Sequence, residues 1–262
     1  MEMGRFDGYL ICTDFDGTLA VNATVSEGNR RAIEYFMSEG GAFTVCTGRT
    51  PEFILEKLPF TPNVPLITVN GSLVYDIPTG KRLKSWSVGR DIWEQAEWAV
   101  SRYGDGVEKS YFVIASSGET LWIENKDIRA SVEMRGDEQV LKAVLRVRDG
   151  ESDRIFSELT EAAGKRLNVS RSWRGGIELQ APDSSKGVAV GYLRELLGER
   201  AQTVVCAGDY ENDISLLRAA DISYAVGDAV EALRREAMRV TVPCADDAVA
   251  QIICDLERET RV

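Results

Sequence analysis

Histidine does not occur anywhere in the 262 residues. Its absence removes Ser-His-Asp and Cys-His nucleophilic chemistry, histidine-bound zinc and histidine as a general base. Catalysis is left to carboxylates, lysine, hydroxyls or a metal held by oxygen. Long apolar runs are lacking too, since none reaches the roughly 18 residues that span a bilayer. The opening Met1-Glu2-Met3-Gly4-Arg5-Phe6-Asp7 has neither the basic start nor the apolar stretch of a signal peptide, which predicts a cytoplasmic protein with no membrane partner. Cysteine is scarce: the five residues Cys12, Cys46, Cys206, Cys244 and Cys254 are odd in number and show no paired metal-ligand spacing. They read as reduced, mostly buried thiols. Basic residues are outnumbered, 31 Lys and Arg against 42 Asp and Glu, for a net charge of −11. An acidic chain argues against a nucleic-acid partner, because phosphate backbones reward clustered Lys and Arg.

What is present is an ordinary globular composition, 44% hydrophobic and 28% charged. The first third alternates strand and helix signals. A short apolar run at 9–13 leads into an Asp/Gly stretch. Ser26 is placed to cap a helix whose apolar positions Ala32, Ile33, Phe36 and Met37 share a face, and Gly40-Gly41 stop it. A strand at 42–46, a helix opened by Thr50-Pro51 and a strand at 65–69 follow. The last third repeats the rhythm, with helices at 186–197, 211–220 and 230–237 and from 246, and strands at 203–207, 222–226 and 239–242. Short buried-type strands alternating with helices imply a parallel sheet covered on both faces. The middle is different, with helical stretches near 91–103 and 152–163 among strand-like runs at 111–115, 120–124, 140–147, 167–173 and 176–180. All five tryptophans fall there and read as a small core of their own. The expected fold class is therefore α/β, a Rossmann-like parallel-sheet core (residues 1–78 and 182–262) carrying an inserted smaller α+β domain (79–181).

In an open α/β sheet, ligands gather beyond the carboxyl ends of the strands. Asp14 and Asp16 follow the first strand, and Thr47-Gly48-Arg49 the second. Asn70-Gly71-Ser72 follows the third. Lys186 opens the helix after the insert, and Gly208-Asp209-Tyr210-Glu211-Asn212-Asp213 follows the strand at 203–207. Each string alone is as readily a turn or a helix cap, but together they bring carboxylates, a lysine and small polar residues to one sheet edge. That set suits phosphoryl transfer. Magnesium prefers oxygen ligands, and a cation pair of metal and lysine offsets the repulsion between an anionic nucleophile and an anionic phosphate. One carboxylate can attack phosphorus and a second can carry the proton.

These motifs resemble the haloacid dehalogenase-like (HAD) hydrolase superfamily, and within it the Cof-type phosphatase branch. Asp14-Phe15-Asp16-Gly17-Thr18 matches its first motif, Thr47 its second, Lys186 its third and the run from Gly208 to Asp213 its fourth. The resemblance implies Asp14 as nucleophile and Asp16 as general acid/base. It implies Thr47, Gly48, Lys186 and Asn212 on the substrate phosphate, and Mg2+ at Asp14, a backbone carbonyl at Asp16, and Asp209, with Asn212 and Asp213 in support. It implies that the insert is a cap that closes over the site and selects a small phosphorylated metabolite. Two segments depart from the branch. Val226-Gly227-Asp228-Ala229 stands in place of a usual Gly-Asn-Ala, and Ala245-Asp246-Asp247-Ala248 in place of Glu-Asp-Gly-Val. Relatives nearer to phosphoglycolate or sucrose-type phosphatases stay open. So do two other activities, a phosphotransferase or mutase using the same chemistry, and a non-catalytic metabolite-binding regulator. Arg146, Arg148, Arg171 and Arg174 of the insert read mainly as solvated strand-face cations.

Overall fold

The computed structural model describes residues 4–260. The chain folds as two compact units, one formed by the chain up to Lys84 and from Lys186, the other by Ser85–Ser185. Among the described residues no helix is long and apolar enough to cross a membrane.

The first unit is built on a five-stranded sheet in the order Arg239–Val240, Ile222–Ala225, Thr203–Gly208, Tyr9–Thr13, Ala42–Val45. Every neighbouring pair is parallel. Tyr9–Thr13 is buried along almost its whole length, which explains why it reads as a continuous apolar run and not as an alternating one. The helix Glu27–Ser38 is capped by Ser26, whose hydroxyl accepts the N–H of Asn29 at 3.1 Å. It presents Ile33 and Phe36 to a core shared with Ile11, Phe43, Val45, Val205 and the final helix's Val249, Ile252 and Leu256. Asn29 ties these pieces together: its amide donates to the Leu19 carbonyl at 3.2 Å and its oxygen accepts from Ala250 N–H at 2.9 Å. Beyond the sheet, Cys46 bridges to Ile67 in the strand Leu66–Thr68, which pairs antiparallel with Leu73–Asp76.

Register decides what meets at the sheet edge. Thr13 lies opposite Ala207 on one side and Val45 on the other. The residues that follow, Asp14, Cys46-Thr47 and Gly208-Asp209, therefore emerge at the same level.

The unit Ser85–Ser185 holds an antiparallel sheet ordered Asn168–Trp173, Gly176–Gln180, Val140–Val147, Val107–Ile114, Thr120–Ile123. The helices Arg90–Tyr103 and Ser152–Ala163 contribute Trp93, Ala96, Ile155 and Leu159 to a core with Phe112, Ala143, Leu145, Ile177 and Leu179. Trp93 stacks on Phe112 with ring centroids 4.2 Å apart, and its indole N–H donates to Glu138 O at 3.0 Å. This parallel-sheet core with a smaller inserted α+β domain is the fold class that the alternation of strand and helix signals predicts. The tryptophan expectation holds less widely. Trp93 and Trp98 serve the core, but Trp122 and Trp173 are 62% and 41% exposed. Nor is Arg171 a solvated cation: its guanidinium lies 4.5 Å from the Phe156 ring centroid and pairs with Asp153 at 2.5 Å.

Candidate active site

Asp14 continues the central ladder by one residue, its N–H donating to Ala207 O at 2.9 Å. Phe15 is fully buried and anchors the turn. Its carbonyl accepts the N–H groups of Leu19 and Ala20 at 3.1 and 2.8 Å. Gly17 has φ +85, and a Cβ there would stand 2.6 Å from Asp209 Oδ2, so both the turn and the approach of Asp209 demand glycine. Thr18 fixes that carboxylate further, its hydroxyl donating to Asp209 Oδ1 at 3.3 Å. The run Asp14-Phe15-Asp16-Gly17-Thr18 thus carries an anchor, Phe15, between its two carboxylates and a close-approach point, Gly17, directly after them.

Lys186 is the first residue of the helix Lys186–Leu197 and is 1% exposed. Its ammonium lies between two carboxylates, 2.5 Å from Asp14 Oδ1 and 2.6 Å from Asp213 Oδ1. The second oxygen of Asp213 accepts from the N–H groups of Asp209 and Tyr210 at 3.0 and 3.2 Å. A Cβ on Gly208 would lie 2.5 Å from that of Asp213, so glycine is what admits the fold-back. Carboxylate oxygens of Asp14, Asp209 and Asp213 lie within 4.8 Å of one another.

Charge in this cluster is unbalanced. Burial pushes Asp14 well above the ordinary carboxylate range; Lys186 opposes this, while Asp213 and Asp209 add to it. Asp209 is pushed up to about 7 by burial and then by Asp213, against Lys186 and Thr18, and Asp228 contributes in the same upward sense. For Lys186, burial acts downward but the Asp14 and Asp213 carboxylates outweigh it, so its pKa stands well above the ordinary lysine value.

The other predicted residues gather in a second group. Thr47 is 1% exposed and held on three sides. Its N–H donates to Ile67 O, its carbonyl accepts Asn70 N–H at 2.8 Å, and its hydroxyl accepts Arg49 N–H at 3.2 Å. Asn70 Oδ1 in turn accepts the side-chain amide of Asn212 at 3.2 Å and would meet a Cβ on Gly48 at 3.0 Å. Val69 and Asn70 sit at φ 53 and 54, a conformation that a β-branched residue such as Val69 adopts only under strain. Thr47, Gly48 and Asn212 are thus linked through Asn70. The Asp16 carboxylate joins neither group: it is gripped by Arg49, Nε to Oδ2 at 2.8 Å and Nη2 to Oδ1 at 3.1 Å.

A family model described as haloacid dehalogenase-like hydrolase matches residues 11–253. The chain belongs to the haloacid dehalogenase-like hydrolases. Among curated relatives, Bacillus subtilis YcsE, named a 5-amino-6-(5-phospho-D-ribitylamino)uracil phosphatase, is 28% identical over 93% of this hydrolase and 94% of its own length. YwtE of the same bacterium, with the same named activity, is 25% identical over 94% and 97%. The chloroplastic endoribonuclease YBEY of Arabidopsis thaliana is 26% identical over 94% of this hydrolase, which spans about half (46%) of that protein. Of solved structures, the HAD subclass IIB sugar phosphatase BT4131 superposes with a TM-score of 0.80 at 18% identity, covering 94% of this chain and 98% of its own. A HAD/COF-like hydrolase from Plasmodium vivax gives 0.78 at 22% identity, covering 98% of both. With a family model over residues 11–253 and curated phosphatase relatives over 93% and 94% of the chain, the protein is a HAD-type phosphatase, a phosphoric monoester hydrolase.

The carboxylate cluster of the hydrolase fits a hard divalent cation. Its donors are all oxygen, and three carboxylates facing one ammonium leave negative charge that a cation would offset. Within the cluster the three are not equivalent. Both Asp213 oxygens already accept hydrogen bonds, so it is built to orient Lys186 and the Asp209 backbone. Two features are not foreshadowed in the sequence. Asn70 ties Thr47, Gly48 and Asn212 together, and Arg49 holds Asp16. The adjacency of Arg49 to Thr47-Gly48 was the only signal for the second.

Proposed function

We propose that this phosphatase hydrolyses a small phosphorylated metabolite, with Mg2+, through an aspartyl-phosphate on Asp14. The observation that carries the reading is the buried ion cluster, in which Asp14 lies 2.5 Å from Lys186 with the Asp209 and Asp213 carboxylates alongside. Asp14 Oδ2 and Asp209, with the backbone carbonyl of Asp16, are the groups to hold the metal, which when bound supplies positive charge to the phosphoryl oxygens. Asp14 attacks phosphorus and the P–O bond to the leaving group breaks. The proton for the departing oxygen comes from the Asp16 carboxyl. Asp16, now a carboxylate, then takes a proton from water as that water attacks the acyl phosphate, which returns Asp14 to its carboxylate form and releases inorganic phosphate. Lys186 offsets charge on Asp14 and on the incoming phosphate, while Thr47, the Gly48 backbone and Asn212 frame the phosphate side. A cytoplasmic setting suits a protein whose five cysteines are all free thiols.

A panel of phosphorylated metabolites assayed for phosphate release tests the reading. The phosphorylated ribitylaminouracil named for the Bacillus relatives belongs in it. Asp14→Asn abolishes turnover with the thermal unfolding profile retained, and EDTA silences the wild type. Activity surviving either change contradicts the scheme, and an isomerised phosphate ester appearing instead of free phosphate marks a mutase.

A further inference from the structure

Asp16 must direct one carboxyl oxygen at the leaving group, yet the loop it sits on does little to aim it. Its backbone bridges to Ala20. Among the described residues, the only polar partner of its carboxylate is Arg49, through two parallel N–H···O contacts at 2.8 and 3.1 Å. The pair is half exposed, with side chains 42% and 49% accessible. An ion pair so exposed contributes little to stability, so its importance lies in orientation. Arg49 is itself well placed for this. Its N–H donates to Thr47 Oγ1 at 3.2 Å, its carbonyl accepts Val69 N–H at 3.0 Å, and its guanidinium lies 4.7 Å from the Phe53 ring centroid. A guanidinium backed by an aromatic ring and forked onto both oxygens sets the plane of a carboxyl group as well as its position.

We infer that Arg49 is the positioning residue for Asp16, setting the carboxyl group that serves the leaving oxygen. The inference rests on the general acid/base role proposed for Asp16. Loss of Arg49 should therefore be felt according to how much the leaving group needs a proton.

The test compares kcat/KM for p-nitrophenyl phosphate, whose leaving group departs without protonation, with that for glycerol phosphate, whose alkoxide needs a proton. Asp16→Asn serves as the reference. In Arg49→Gln, glycerol phosphate turnover falls about tenfold or more while p-nitrophenyl phosphate changes by less than about threefold. Arg49→Lys, which restores charge but not the fork, recovers only part of the loss. Equal losses on both esters, no loss on either, or full recovery by lysine would overturn the inference. If Asp16→Asn itself shows no selective loss on glycerol phosphate, it is the acid/base assignment of Asp16 that fails.

Discussion

The residues at the centre differ in what they can do because they differ in what already holds them. Asp213 has both oxygens engaged and acts as a brace, whereas among the described residues the Asp209 carboxylate accepts a hydrogen bond from the Thr18 hydroxyl alone and feels Lys186 and its acidic neighbours through charge. Burial and Asp213 push Asp209 up to about 7, above a carboxyl in the unfolded chain. Its proton therefore stabilises the fold on the acid side, and that contribution is lost as pH rises through about 7. Mg2+ needs the carboxylate form. Lowering the pH from about 8 to about 6 should thus weaken Mg2+ binding by about tenfold from Asp209 and further through Asp14, whose carboxyl burial also raises, with protons released on binding at the lower pH. Calorimetric titration in buffers of different ionisation enthalpy measures both, and a pH-independent affinity would exclude Asp209 from the metal shell. The residue types of this centre were legible in the chain as Asp14, Lys186, Asp209 and Asp213. Their individual partners were not, since each partner lies on a segment far away in sequence.

Elements were legible where caps and periodicity agree. Ser26 before the apolar positions Ile33 and Phe36 marks a helix start, and the helix runs Glu27–Ser38. Removing the cap in Ser26→Ala should lower stability by about 1 kcal/mol, read by urea denaturation. The same change removes the hydroxyl that donates to Asp247 Oδ1 at 2.5 Å, so the loss should not fall below the cap value. Elements went unread where the local signal is thin. The helix Ile128–Arg135 buries only Ile128 and Val132, too few positions to establish a helical period. A single helix over 211–220 is instead a 3-10 turn Glu211–Asp213 followed by Ile214–Arg218, because the Asp213 side chain folds back onto the N–H groups of Asp209 and Tyr210. The last helix begins at Ala248, two residues later than the sequence suggests, because Asp247 takes a left-handed conformation with φ 61.

At the scale of the molecule, each unit has a core of its own. In the unit Ser85–Ser185, Val88 bridges to Val140 and Lys142 lies opposite Gln180, so the chain enters and leaves beside the same strand, Val140–Val147. Its core joins Trp93 and Phe112 to Leu145, Ile155 and Leu179. A fragment spanning Ser85–Ser185 should therefore unfold cooperatively on heating, with a change in tryptophan fluorescence; a broad transition without a cooperative step would show that it needs the rest of the chain. The order of short buried strands and amphipathic helices was enough to determine an α/β core with an α+β insert, since side-chain period and turn chemistry are local properties. Where the acid/base Asp16 finds its partner, which tryptophans stay exposed and which aspartate braces the lysine were decided only by the tertiary structure. Those outcomes depend on strand register, which brings Asp14, Thr47 and Asp209 out at one level of the sheet, and on loops whose contacts join residues remote along the chain.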